Sequence, residues 1–143
     1  MVRINLINPK FLADQHLIAE YNEILMLLGY IKKNPKIIPS KIPLNYTLGK
    51  GHILFFKNKL KYLERRFEII KKEMDRRGFN GKIKINLKYF DKKLINNWNP
   101  KPIDKEIIKE RLIKKINLKP SYYRYYRNKK PKKFFIQLIK NAR

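Results

Sequence analysis

The side chains best suited to proton transfer lie together in the one acidic part of a very basic chain. The chain has 36 Lys and Arg against 11 Asp and Glu, a formal net charge of +25. Residues 1–30 hold three acids and two cations, so their side chains sum to −1. Within LADQHLIAEYNE, residues 12–23, helical spacing predicts that His16, Glu20 and Glu23 share one strip. Such groups exchange protons or stabilise a developing positive charge, and the strip therefore predicts chemistry.

The remaining composition excludes several kinds of site. There are no cysteines, so disulfides, thiolate ligands and thiol nucleophiles are excluded. His16 and His52 are the only histidines, too few for an ordinary zinc site, and we expect neither a metal nor another cofactor. The most apolar stretch, ILMLLGY, is far shorter than the ~18 residues of a membrane span, and no signal-peptide layout begins the chain. We expect a soluble cytoplasmic protein with no membrane partner.

The net charge indicates a polyanionic partner, most simply nucleic acid. The chain is also rich in Lys, Ile and Asn and has three alanines, as an AT-biased genome would produce. A basic surface with no special role is therefore the alternative on charge alone.

Three apolar stripes predict three principal helices. The first spans about 10–28 and stops at Gly29, the second about 55–77, and the third runs to about residue 118 from Asp104 as N-cap. The stripes are Leu17, Tyr21, Ile24 and Leu28; Phe56, Leu60, Leu63, Phe67, Ile70 and Met74; and Ile108, Leu112 and Ile116.

The segments outside these helices carry weaker signals. A loop with three prolines spans 30–47, and the alternation of KIKINLKY predicts a short strand at 82–89. Residues 119–143 contain nine Lys or Arg, six aromatics and no acids. We expect Tyr122 to Arg127 to contact nucleic acid, because cations neutralise phosphate and rings stack on bases. Four apolar residues of the tail are expected to pack on the body: Phe134, Phe135, Leu138 and Ile139.

Three segments of the chain resemble the phage endonuclease-V-type pyrimidine-dimer DNA glycosylases. They are MVRINLINPKFLADQHLIAEYNE, YTLGKGHILFFKNKLKYLERRFEIIKKEMDRRGFN and KPSYYRYYR. The resemblance is weak over 31–45 and 80–103 and absent from the last 16 residues. It implies a mainly α, compact single domain of three principal helices over 1–127, followed by a basic C-terminal extension over 128–143.

The resemblance also implies an activity. Family members excise UV-induced cyclobutane dimers by cleaving the glycosidic bond of the 5′ pyrimidine, and then break the strand at the abasic site by β-elimination. The nucleophile is the N-terminal α-amine, which would belong to Val2 after removal of Met1, and Glu23 aligns with the essential carboxylate. An α-amine has a pKa of about 7.7–8.0 against about 10.4 for lysine, so roughly a tenth of it is neutral near pH 7.

Further residues receive roles from the same resemblance. The expected DNA contacts are Arg3, Gln15, His16, Arg111, Lys115, Tyr122, Tyr123, Arg124 and Tyr125. Asn22 and Met26 replace arginines of the phage enzyme, which leaves the range of lesions open. We expect His52 to form structural hydrogen bonds rather than act in catalysis. Glu20 either orients a neighbour such as Arg3 or lies on the surface.

The predicted function is thus a DNA-repair glycosylase and abasic-site lyase that acts as a monomer on damaged double-stranded DNA. Two alternatives stay open. One is a glycosylase or lyase for a different lesion. The other is a non-catalytic basic nucleic-acid-binding protein, which predicts no dependence on Glu23 or on the α-amine.

Overall fold

The computed structural model describes residues 3–143 and is mainly helical, which confirms the predicted fold class. Its helices are α1 (Asp14–Lys33), α2 (His52–Phe56), α3 (Leu60–Arg76), α4 (Pro102–Leu118) and α5 (Lys132–Lys140). Two short antiparallel strands, β1 (Arg124–Tyr125) and β2 (Asn128–Lys129), form a hairpin. Short 3₁₀ turns lie at Pro9–Phe11, Pro39–Lys41, Leu87–Tyr89 and Lys92–Leu94.

Every residue of the three predicted stripes is buried, but the predicted helix ends need correction. α1 continues through Gly29 to Lys33, because burial of Ile31 extends the apolar stripe and outweighs the ~1 kcal/mol cost of a helical glycine. The predicted second helix is broken at Lys59, whose φ of −129° and ψ of 41° are not helical. The N-cap of α4 is Lys101 rather than Asp104; Asp104 is the third residue of the helix and accepts a hydrogen bond from the Lys101 amide (2.8 Å).

The strand predicted at 82–89 is wrong. These residues are irregular and end in the 3₁₀ turn Leu87–Tyr89. A strand needs a backbone partner, and neither strand of the described chain pairs with this segment. The Ile83 amide instead donates to the Tyr21 hydroxyl (3.2 Å), and Ile83 itself is half exposed.

The N-terminal segment, residues 3–13, passes through the core rather than along the surface. Ile4 and Ile7 are fully buried, and Leu6 adopts the left-handed region at φ 61°. Non-glycine residues avoid that region unless surrounding contacts hold them there. α1 packs on α3, and α3 also contacts the turn Pro9–Phe11, so the segment is enclosed by both helices.

A buried ion pair joins α1, α3 and the N-terminal segment. The Arg66 guanidinium donates to both carboxylate oxygens of Glu20 (2.6 and 2.9 Å) and to the Ile7 carbonyl (2.6 Å). Both side chains are essentially inaccessible to solvent. The surface alternative for Glu20 is therefore wrong, and the neighbour that it orients is Arg66.

A second buried guanidinium, Arg77, ties the start of α1 to the end of α3. It donates to Glu73 and to Asp14 (2.9 Å each), and to the Leu12 carbonyl (2.8 Å). Asp14 in turn accepts from the amides of Tyr126 and Arg127 (3.1 and 2.7 Å), which fixes the β1–β2 hairpin.

The hairpin and α5 complete the C-terminal part. Tyr126 and Arg127 form the turn with φ of 48° and 68°, which is uncommon for such residues. α5 packs on α4 and buries Phe135 and Ile139, so the expected packing of the apolar tail residues is confirmed for these two. Phe134 and Leu138 are half-buried. The boundary at 127/128 stays a prediction. No described helix combines the length and apolar character that crossing a bilayer requires.

We predict that breaking the Glu20–Arg66 pair from one side costs about 3–5 kcal/mol, because the remaining charge stays buried without a partner. Glu20→Leu and Arg66→Met should each lower the free energy of unfolding by that amount in urea titrations at pH 7. The double variant Glu20→Leu/Arg66→Met removes both charges and should recover most of the loss. Single variants that cost less than about 1 kcal/mol would contradict a structural role for the pair.

Candidate active site

Arg3 and Ile4 are held by the loop that connects α1 and α2 and by the first residue of α2. The Ile4 amide donates to His52 Nε2 (3.1 Å), and the Ile4 carbonyl accepts from the Tyr46 hydroxyl (2.8 Å). Arg3 Nε donates to the Leu48 carbonyl (2.7 Å). Both backbone groups of Ile4 and one side-chain donor of Arg3 are thus fixed, and the direction in which the chain enters the core is set. Val2 lies outside the described residues.

His52 acts as a neutral hydrogen-bonding group, which confirms the structural role predicted for it. It is buried, and its Nδ1 lies 2.8 Å from the Thr47 carbonyl, so Nδ1 carries the proton and Nε2 accepts from Ile4. The pKa of His52 is lowered to about 4, mainly by burial; the hydrogen bond to Thr47 opposes this shift, and the charges of Arg3 and Arg111 add to it. The ring is therefore uncharged near neutral pH.

Glu23 lies on α1 near cations from two other parts of the chain. It is half-buried, and burial raises the pKa of its carboxyl, whereas the charges of Arg3 and Arg111 lower it. Burial also lowers the pKa of the Arg111 guanidinium, an effect to which Arg3 adds and which Glu23 opposes. A carboxylate among such cations can accept a proton and can stabilise a positive charge that forms beside it.

His16 lies against two further predicted contacts. Its ring packs on Tyr123 with centroids 4.7 Å apart. Its Nδ1 is buried and has no hydrogen-bond partner among residues 3–143. Burial, followed by the charges of Arg111 and Lys115, lowers the pKa of His16 to about 4. The structure thus brings His16, Arg111, Lys115 and Tyr123 together on the side where α1 meets α4.

The aromatic-basic segment is anchored by Gln15. Gln15 Nε2 donates to the Tyr122 carbonyl and Gln15 Oε1 accepts from the Arg124 amide, both at 3.0 Å. The side chains of Tyr122 and Arg124 are exposed, whereas Tyr123 is buried. The Tyr125 hydroxyl donates to the Lys10 carbonyl (2.8 Å). Gln15, Tyr123 and Tyr125 therefore hold the segment in place, and Tyr122 and Arg124 present side chains to solvent.

Two features were not foreseen from the sequence. Tyr46, in the proline-rich loop, holds the Ile4 carbonyl, and no local pattern marked it. The second feature is the burial of Arg66 and Arg77, because nothing in their local sequence distinguishes them from the exposed cations of the same region. Nor does the described part of the chain bring together three or more histidine or carboxylate side chains that could hold a metal ion.

A family model described as pyrimidine dimer DNA glycosylase matches residues 1–87. The matched region is more than half of the 143-residue chain and confirms the resemblance seen in the sequence. It contains α1, α2 and α3, and therefore the loop that holds Ile4 and the helix that carries Glu23. α4, the hairpin and α5 lie beyond it.

We predict that His52→Leu lowers the free energy of unfolding at pH 7 by about 2–4 kcal/mol, because it leaves the Ile4 amide and the Thr47 carbonyl unpaired. In the wild type, the unfolded state binds protons more readily than the folded state, since the pKa of His52 is about 4 when folded and near 6.5 when unfolded. The stabilisation that the neutral His52 ring provides is therefore complete above pH 6.5 and is lost as the pH falls towards 4.

Urea titrations of both proteins at several pH values between 7 and 4 check this. Subtracting one curve from the other removes the carboxylates, which titrate in the same window. The free-energy difference should shrink as the pH falls; a difference that is constant with pH would contradict the role assigned to the neutral ring.

Proposed function

The chain belongs to the pyrimidine dimer DNA glycosylase family, and on that premise we propose that it excises cyclobutane pyrimidine dimers and then nicks the abasic site by β-elimination. In this proposal the nucleophile is the α-amine that removal of Met1 would expose on Val2, and Glu23 is the catalytic carboxylate. The observation that carries it is the convergence of Glu23, Arg3 and Arg111 beside the hydrogen-bonded residue Ile4.

The proposed nucleophile needs a neutral amine at a defined position. An α-amine is already closer to neutrality than a lysine at pH 7. The hydrogen bonds to Ile4 restrict the chain two residues from the proposed amine, which supports a near-attack geometry without burial of a lysine.

The chemistry would proceed in two stages. The amine nitrogen attacks C1′ of the sugar, the bond from C1′ to the pyrimidine nitrogen breaks, and opening of the sugar ring converts the adduct into an imine. The imine withdraws electrons, so a C2′ proton can leave and the 3′ phosphate is expelled by β-elimination. Water then hydrolyses the imine and releases the enzyme.

Glu23 suits two parts of this scheme. Its carboxylate can stabilise the positive charge that grows at the sugar as the glycosidic bond breaks. It can also carry protons, because burial raises the pKa of the carboxyl and makes the carboxylate a stronger base. The charges of Arg3 and Arg111 act in the opposite direction on the pKa and favour the ionised carboxylate, which is the form that stabilises a positive charge.

Duplex DNA is the substrate that the rest of the surface supports. Arg111 and Lys115 supply cations beside His16, and Tyr122 and Arg124 are exposed next to them. A dimer weakens stacking and pairing, so kinking the duplex there costs less than at undamaged sequence. All of these residues come from one chain, and we therefore expect a monomer.

A second candidate is an abasic-site lyase, or a glycosylase for another lesion. Asn22 and Met26 are exposed on α1, Met26 at 69%, where the resembled phage enzyme has arginines. Fewer cations beside Glu23 weaken the hold on the strand at the lesion without removing the amine or the carboxylate. Activity on abasic DNA alone would favour this candidate.

The decisive prediction is a borohydride-trapped adduct on a duplex that carries one cis-syn thymine dimer. Wild type should form a cross-link that peptide mass mapping assigns to the Val2 amine. Glu23→Gln should slow trapping at least about 100-fold, in the range of a lost general acid–base group. Glu68→Gln removes the same charge from an exposed position of α3 and should trap like wild type.

The same trap on an abasic duplex separates the candidates. Adduct on abasic DNA but not on the dimer would indicate the lyase. No adduct on either duplex, from protein shown to lack Met1, would contradict the proposal and leave a non-catalytic DNA-binding protein.

A further inference from the structure

We propose that the outer face of α5 and the strand before it bind the phosphate backbone of duplex DNA away from the damaged base. This C-terminal basic face consists of Lys129, Lys130, Lys132, Lys133 and Lys140, all exposed. It lies outside the region matched by the family model and outside the segments of resemblance. The inference rests on the proposed function only in taking duplex DNA as the partner.

The charges of this face are not balanced within the protein. The last acidic side chain of the sequence is Glu110, and none of the five lysines forms an ion pair within residues 3–143. On α3 the arrangement differs, because Lys61, Lys71 and Arg76 each pair with a glutamate three residues away. A concentration of cations without carboxylates attracts a polyanion and repels itself in the free protein.

The five lysines sit on a fixed frame. Phe135 and Ile139 are buried where α5 packs on α4, and Lys109 Nζ donates to the Ala142 carbonyl near the C-terminal end. The hairpin at the other end is held by Asp14. The lysines that face solvent therefore need little further ordering of the backbone to contact a duplex.

Helix stability does not explain the placement of these lysines. Lys132 and Lys133 begin α5, and its first turn has no acid. Cations at that end of a helix add to the positive end of its dipole and destabilise it. A helix selected for stability alone would carry Asp or Glu there.

Packed aromatic rings connect the basic face with the candidate active site. The Tyr125 ring lies 5.4 Å from Phe134, and Lys130 Nζ lies 5.4 Å from the same ring. Tyr123 contacts both Phe135 (6.2 Å) and His16 (4.7 Å). A duplex that lies over His16 could therefore continue towards α5, with phosphates spaced closely enough to meet several lysines.

The test compares two triple variants that lose the same charge. Lys132→Gln/Lys133→Gln/Lys140→Gln removes part of the basic face. Lys84→Gln/Lys88→Gln/Lys92→Gln removes three exposed lysines from the loop beyond α3. That loop contacts α1 at Tyr21. Tyr21 is two residues before Glu23, so the two side chains point about 200° apart around the helix axis and the loop lies away from Glu23.

Binding to an undamaged 20-base-pair duplex is measured across a salt series. The plot of log K against log salt has a negative slope. For the α5 variant, the magnitude of this slope should decrease by about 0.9 for each lost phosphate contact, up to about 2.7. The loop variant should keep the wild-type slope. Lys→Arg at the three α5 positions should also keep it, and single-turnover cleavage at saturating enzyme should not change in the α5 variant.

Two results would overturn the inference: an equal fall in slope for both triple variants, which would mean diffuse attraction by net charge, or no fall for the α5 variant. Tighter binding of single-stranded RNA than of the duplex, lost in the α5 variant, would replace DNA by RNA as the partner. Absence of dimer cleavage would contradict the proposed function. It would not affect the test of the basic face, because that test measures binding to undamaged DNA.

Discussion

The bidentate ion pair between Arg66 and Glu20 is the interaction on which the rest of the structure depends. It joins α3 to α1, and its remaining donor holds the Ile7 carbonyl, so the N-terminal segment is fixed at the centre of the fold. Burying two charges is costly unless all of their polar atoms are satisfied, and here the backbone carbonyl completes the set. In the enclosed segment Leu6 adopts the left-handed region, and the Ile4 amide lies within hydrogen-bond distance of His52. A shift of this pair would therefore displace the N-terminal segment, which Arg66 holds at Ile7.

The acidic start of a basic protein follows from this arrangement. Asp14 and Glu20 are buried and bind the guanidinium groups of Arg77 and Arg66. Each pair neutralises a buried cation, Arg66 within α3 or Arg77 directly after it, that the core could not otherwise hold. Glu23 is the exception, because its carboxylate is half-exposed among cations and its pKa is raised by burial. Two carboxylates thus build the framework in which the third is proposed to act, and the local negative charge has a structural cause as well as a chemical one.

Local sequence patterns correctly predicted the features that depend on residues close together in the chain. The stripes of α1, α3 and α4 are buried as predicted, and the resemblance placed Glu23 and His52 in the region that the family model matches. Features that depend on distant residues were missed. The partner of Glu20 lies 46 residues away, so no spacing could identify it. Alternation at 82–89 looked like a strand, but pairing requires a neighbour that the sequence does not reveal. The hairpin turn at Tyr126 and Arg127 lacks glycine and is stabilised by hydrogen bonds from its amides to Asp14, which lies more than 100 residues earlier in the chain.

The distribution of cations has a consequence for recognition. His16 and His52 are neutral near pH 7, because burial lowers the pKa of each to about 4. Among residues 3–143, the cations that act on the Glu23 carboxyl are therefore the arginines Arg3 and Arg111. Along α1, the exposed positions near Glu23 are the uncharged Asn22 and Met26. If the C-terminal basic face binds flanking DNA, the electrostatic contribution to affinity lies mostly away from the lesion. Contacts to flanking phosphates are equally strong at every sequence, so they cannot distinguish damaged from intact DNA. Discrimination would then depend on how easily the duplex deforms at the dimer, and the flanking contacts would hold the enzyme on DNA while it encounters such sites.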